Sequence, residues 1–105
     1  KRIATRVSLG IGRVGGYASN GSGDIFIAFS TANPNTAMAD DSTRLTMLSN
    51  ARISPLFAAT AQATEEAIVN AMLAADTMTG VNYFRVYGLP ADRVVQALTK
   101  YGRLK

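Results

Sequence analysis

Apolar residues at Ile3, Val7, Ile11 and Val14 recur every three or four positions, which is the spacing of one helical face, while Arg2, Arg6 and Arg13 fall toward another side. A strand reading, with Val7, Leu9 and Ile11 alternating, accounts for fewer positions, so the pattern predicts a helix over 1–14. Gly15-Gly16 ends it, because glycine tolerates the left-handed backbone that follows a helix. No N-cap or turn signal precedes Ile3, so the chain is expected to begin inside an element, as a truncated or processed product would. A loop follows over 17–23, and six of the nine glycines lie between Gly10 and Gly23.

Ile25 to Ser30 is apolar on both alternating faces, with Ile25, Ile27 and Phe29 on one and Phe26 and Ala28 on the other. That is the pattern of a central strand covered on both sides. Thr31 to Ser42, rich in Asn, Pro, Asp, Ser and Thr, reads as a surface loop, and Arg44 to Leu48 alternates weakly as a second strand. Ser54-Pro55 is a helix start, with serine able to cap and proline suited to the first helical position. The helix is expected to reach about Thr77, burying a stripe of Phe57, Ala61, Ile68, Met72 and Ala75 that Val69 and Leu73 widen. Its many alanines imply close packing against a flat partner such as a sheet, and Gly80 supplies the stop. Tyr83 to Tyr87 reads as a short strand, and Leu89-Pro90 opens a last helix over 91–101 with Val94, Val95 and Leu98 inward. The order is helix, strand, strand, long helix, strand, helix, without internal repeats: an α+β layered arrangement within one domain.

Composition adds a demand for cover. Hydrophobic residues make up 48% of the 105 residues and charged residues only 17%, where a soluble domain usually has about 25% charged. The surface is therefore expected to be covered, by a missing segment or by other subunits. The net charge of +4 sits at the ends: Lys1, Arg2, Arg6 and Arg13 precede every acid, and Arg93, Lys100, Arg103 and Lys105 follow the last one. No basic stretch carries interleaved aromatics and no nucleic-acid motif is present, so two solvated helix faces explain the basic ends better than a nucleic-acid surface. The absence of cysteine excludes disulfides, thiolate zinc sites and a cysteine nucleophile without fixing the compartment. No apolar run reaches the roughly 18 residues of a membrane span, and no signal-peptide core follows the basic start.

Gly10-x-Gly12-x-x-Gly15 spells a dinucleotide fingerprint, but the fingerprint needs a strand before it and a helix opening at it. Here it falls at the end of a helix, so close packing or helix termination is the better reading. Asp40-Asp41 lies in a polar loop, and the adjacent Glu65-Glu66 side chains diverge on a helix, so neither pair is expected to hold a metal. Ser22 and Asp24 are the candidate chemistry. They stand two residues apart where a strand begins, which turns both side chains to one side, and glycines flank Ser22 so that a substrate or another backbone can approach. The alternative is an ordinary loop whose Asp24 satisfies nearby amides. The chain has no histidine, so no Ser-His-Asp triad can be assembled, and the lysines Lys1, Lys100 and Lys105 lie near the ends. A base for Ser22 must come from outside these residues. An N-terminal amine, with an ordinary pKa of about 8, is one known substitute.

The stretch from Ala18 to Asn33, ASNGSGDIFIAFSTAN, resembles the DmpA family of autoprocessed aminopeptidases, which contains D-/L-aminopeptidases and β-peptidyl aminopeptidases. The resemblance continues through Ser54-Pro55-Leu56-Phe57, Ala63-Thr64-Glu65-Glu66-Ala67-Ile68, Met78-Thr79-Gly80 and Leu89-Pro90-Ala91-Asp92-Arg93, covering nearly the whole chain in order. Arg85-Val86-Tyr87-Gly88-Leu89-Pro90 leans toward the β-peptidyl branch.

The resemblance implies a precursor that cuts itself at a Gly-Ser bond into a large α and a small β chain, the new N-terminal serine of β being the nucleophile. It implies a layered αββα sandwich, metal-independent and cofactor-free hydrolysis of short peptides or amides, and tetramers of αβ units. By the same resemblance residues 1–105 are the C-terminal part of the β chain, which folds with the α chain, and the nucleophile lies upstream of Lys1. Ser22 matches the family's second catalytic serine and Asp24 its acidic partner, where the β-peptidyl relatives are expected to carry the longer glutamate. In that role Ser22 hydrogen-bonds the nucleophile or its amine and helps pass the proton, Asp24 orients Ser22, and the oxyanion donors sit on the α chain. The compartment stays open between bacterial cytoplasm and periplasm. An acyltransferase of the same fold, similar to the ornithine acetyltransferases, and a noncatalytic assembly module are the other readings.

Overall fold

The computed structural model describes residues 1–38 and 42–104. The chain forms two compact units, Lys1–Glu65 and Glu66–Lys105. The first holds helix α1, Ala4–Arg13, and the start of helix α2, Ser54–Ala74. The second holds the rest of α2, the two-residue strands β1 (Met78–Thr79) and β2 (Arg85–Val86), and helix α3 (Ala91–Lys100).

In the first unit α1 forms where the apolar spacing predicts it, and Ile3, Val7, Ile11 and Val14 are half-buried. Its end is a Schellman motif. The Gly16 N–H reaches the Ile11 carbonyl at 3.0 Å and the Gly15 N–H reaches Gly12 at 3.1 Å, with Gly15 in the left-handed region at φ 94°. Gly10 is the one buried residue among those described, and a Cβ there would lie 2.5 Å from Thr64 Cβ and 2.6 Å from the Ala61 carbonyl oxygen. Gly10 and Gly12 thus lie inside a helix, with no strand before them, and Gly15 terminates it. Packing and termination account for two of the three fingerprint glycines.

The arginines on the expected solvated face also engage partners, with Arg2 and Arg13 exposed and Arg6 half-buried. Arg6 lies 4.0 Å and Arg2 5.1 Å from the Phe57 ring centroid, Arg2 donates to Asn50 Oδ1 at 2.7 Å, and Arg13 pairs with Glu65. Each such contact is worth about 1 kcal/mol or less where water still reaches it. The guanidinium groups of Arg2 and Arg6 thus stack on Phe57 of α2.

α2 starts at Ser54, with the Phe57 N–H already bonded to the Ile53 carbonyl at 3.3 Å. Phe57, Ala61 and Ile68 are half-buried as the stripe predicts. Met72, Ala75, Val69 and Leu73 are exposed, and the helix ends at Ala74 rather than Thr77.

Two predicted strands do not form. Residues 25–30 and 44–48 belong to no ladder, and Ile25, Ile27 and Phe29 are 86–88% exposed while Phe26 is half-buried. A strand needs a neighbour for its backbone groups and cover for its face, and neither segment finds one among the described residues. Asn33 supplies a single strand-like link: its Nδ2 donates to the Thr46 carbonyl at 3.1 Å and its Oδ1 accepts the Thr46 N–H at 2.7 Å. Asn33→Asp removes the donor and sets a carboxylate against that carbonyl. The expected loss is roughly 1–2 kcal/mol of local stability, read as faster amide hydrogen exchange at Thr46 than in the parent protein.

In the second unit β1 and β2 pair antiparallel, Met78 opposite Val86 and Thr79 opposite Arg85. The loop between them is closed by the Gly80 N–H to the Phe84 carbonyl at 2.8 Å. Only Arg85–Val86 of the predicted 83–87 strand is in the ladder, because Asn82 and Tyr83 take left-handed φ of 56° and 60° to turn the hairpin. α3 runs over Ala91–Lys100 with Val94 half-buried and Val95 and Leu98 exposed. A second Schellman motif ends it, with the Arg103 N–H on the Leu98 carbonyl at 2.8 Å and Gly102 at φ 63°. No helix among the described residues is long and apolar enough to cross a membrane.

Candidate functional site

The site is built by the end of α1. Once the Schellman glycines reverse the backbone, Ala18 takes a left-handed φ of 50° and Ser19 to Ser22 close a turn, the Ser22 N–H donating to the Ser19 carbonyl at 2.8 Å. Two residues on, the Ser22 hydroxyl donates to Asp24 Oδ2 at 3.0 Å. The pairing expected from alternating strand side chains is therefore present, although residues 22–24 form no strand.

This geometry has a direction. With its proton committed to Asp24, Ser22 Oγ keeps its lone pairs for other donors. An ammonium or a second hydroxyl placed there would donate to Ser22, and the carboxylate behind it would favour positive charge on that donor. Both residues are exposed, so in open water the bond is worth no more than about 1–2 kcal/mol. Its chemistry needs a site that excludes solvent.

The other candidates separate. Glu65 is half-buried against Arg13, which leaves Glu65-Glu66 without a shared focus. Asp40-Asp41 lies outside the described residues. Among the described residues no three carboxylate, histidine or cysteine groups converge as a metal site would require. A small cleft of about 450 Å³ on the first unit runs between Lys1, Ala4 and Thr5 on one side and Phe26, Ile27 and Ala28 on the other, so the segment after Asp24 is open there. Sequence reasoning missed the left-handed Ala18. Nothing in the stretch Gly16-Tyr17-Ala18-Ser19 marks alanine, among nearby glycines, as the residue that turns.

Comparison with known proteins gives a consistent result. The chain is 47% identical over 105 residues to β-peptidyl aminopeptidase BapA of Sphingosinicella microcystinivorans, covering 99% of this chain and 26% of that protein. It superimposes with a TM-score of 0.91 on a crystal structure from Pyrococcus horikoshii OT3, at 47% identity, covering 98% of this chain and 29% of that one. It also superimposes with a TM-score of 0.87 on the L-aminopeptidase D-Ala-esterase/amidase of Ochrobactrum anthropi, a prototype of the serine aminopeptidases with a variant of the Ntn hydrolase fold. There the identity is 40%, over 100% of this chain and 30% of that one. The chain spans about a quarter of the length of the curated relatives it matches. The model of peptidase family S58 matches residues 1–86, taking in Ser22 and Asp24, and the chain belongs to that family.

Proposed function

We propose that this chain is part of an autoprocessed serine aminopeptidase that removes N-terminal residues from short peptides or amides, β-peptides among them, through an acyl-enzyme. The observation that carries the reading is the 3.0 Å bond from Ser22 to Asp24, set within residues that match a peptidase family. In the mechanism, Ser22 accepts a hydrogen bond from the N-terminal nucleophile or its amine and relays its proton, as a positioned hydroxyl can. Asp24 holds Ser22 in that orientation and favours the ammonium that forms during attack. The tetrahedral oxyanion is held by donors outside this chain, on the α chain. The relatives are named for cleaving peptides, esters or amides, which favours hydrolysis over acyl transfer.

The partner in this reading is the α chain of the same precursor, completing an αββα sandwich in which residues 25–30 become an inner strand. The open apolar face supports this, since covering Ile25, Ile27 and Phe29 is worth about 1.5–3 kcal/mol per side chain. The αβ units then assemble into a homo-oligomer, a tetramer in the resembling family. The experiment is to express the full-length protein and follow its intact mass. Two chains are expected, followed by release of β-alanine or L-alanine from their amides. A precursor that stays whole and inert sinks the reading.

A further inference from the structure

Gly21 and Gly23 flank Ser22, and nothing among the described residues requires glycine at either position. Both have φ outside the left-handed region, so φ does not call for glycine at either. A Cβ built at either would meet no atom within 4 Å. Three residues before Gly21 the chain does the reverse, placing Ala18 at a φ of 50° that disfavours a Cβ. Glycine gives up more conformational freedom on folding than alanine does, so two idle glycines are a standing cost. Gly12 is equally open on α1, but no reactive side chain adjoins it.

The backbone N–H groups of Gly21 and Gly23 take no partner among the described residues, and Ser22 Oγ has acceptor capacity left once it donates to Asp24. A close-lying peptide supplies the matching groups: carbonyls for the two N–H donors and an N–H or amine for the hydroxyl oxygen. We propose that Gly21 and Gly23 are positioning residues that keep the floor beside Ser22 clear so that a peptide backbone can lie against it in van der Waals contact. The inference rests on Ser22 being a site residue. The backbone has two sources, the substrate or another segment of the same protein.

The test uses the full-length protein with Gly21→Ala, Gly23→Ala and the larger Gly21→Val and Gly23→Val. Within this chain alone the alanine variants would leave Tm unchanged or slightly higher. If the backbone is the substrate's, KM for β-alanyl and L-alanyl amides rises on the order of tenfold to a hundredfold, more for valine than alanine, with Tm and self-cleavage as in the parent. If it is the protein's own, self-cleavage slows and Tm falls in the same size order before any substrate is added. Either result supports the proposal. Parent-like Tm, self-cleavage and KM in all four variants would overturn it. A fully active Ser22→Ala would instead remove the role of Ser22 while leaving the Tm and self-cleavage result standing, so the two failures are distinguishable.

Discussion

Ser22→Ala, measured in full-length enzyme that has completed self-cleavage, lowers kcat on β-alanyl and L-alanyl amides by about a hundredfold or more, with KM little changed. A positioned proton-transfer group contributes roughly 10²- to 10⁴-fold. The lower end of that range is the floor expected here. The split between kcat and KM matters, because a hydroxyl that only lined the pocket would move KM. Asp24→Asn keeps an oxygen that can accept the Ser22 proton at the 3.0 Å position but removes the charge, so its expected loss is smaller, about tenfold. The double variant should be no slower than Ser22→Ala alone, because Asp24 acts through Ser22 and the two effects do not add. Intact mass must first show that each variant is fully cut, since uncut precursor lowers apparent turnover without touching chemistry. Near-parent kcat in cleaved Ser22→Ala is the outcome that removes Ser22 from the mechanism.

What the sequence makes legible here is what local physics decides. The α1 stripe from Ile3 to Val14, the Gly15 terminus, the Ser54-Pro55 start and the α3 span all depend on residues within a turn of one another, and all appear. The Ser22–Asp24 pair was legible for the same reason, being two residues apart. Residues 25–30 are read as a covered central strand from their two apolar faces, yet pairing and cover are long-range properties that the described residues do not supply to them. The lower half of α2 shows the same limit: Met72 and Leu73 fit an apolar surface but are exposed. The Asn33–Thr46 clasp and the guanidinium stack on Phe57 join residues far apart in sequence, and no periodicity reports such contacts.

Gly10 leaves no room for a side chain between α1 and α2. Gly10→Ala adds a methyl 2.5 Å from Thr64 Cβ and 2.6 Å from the Ala61 carbonyl oxygen, well inside contact distance, so α1 and α2 must separate. Overpacking of this kind costs about 1–3 kcal/mol, against which alanine's better helix propensity returns about 1 kcal/mol. The net expectation is a loss of up to about 2 kcal/mol for alanine and clearly more for Gly10→Val, which adds two further carbons and a helix-disfavouring branch. Denaturant titration of the full-length protein measures it, as a lower midpoint at unchanged slope. Thr64→Gly in the Gly10→Ala background removes one of the two clashing neighbours, but the Ala61 carbonyl stays in place, so recovery is partial. Thr64→Gly also gives up the Thr64 hydroxyl bond to the Thr60 carbonyl at 2.8 Å and adds a helical glycine. Its own cost must therefore be measured singly before the coupling is extracted. A Gly10→Ala protein as stable as the parent would mean that the two helices can move apart freely, and that the burial of Gly10 holds nothing in register.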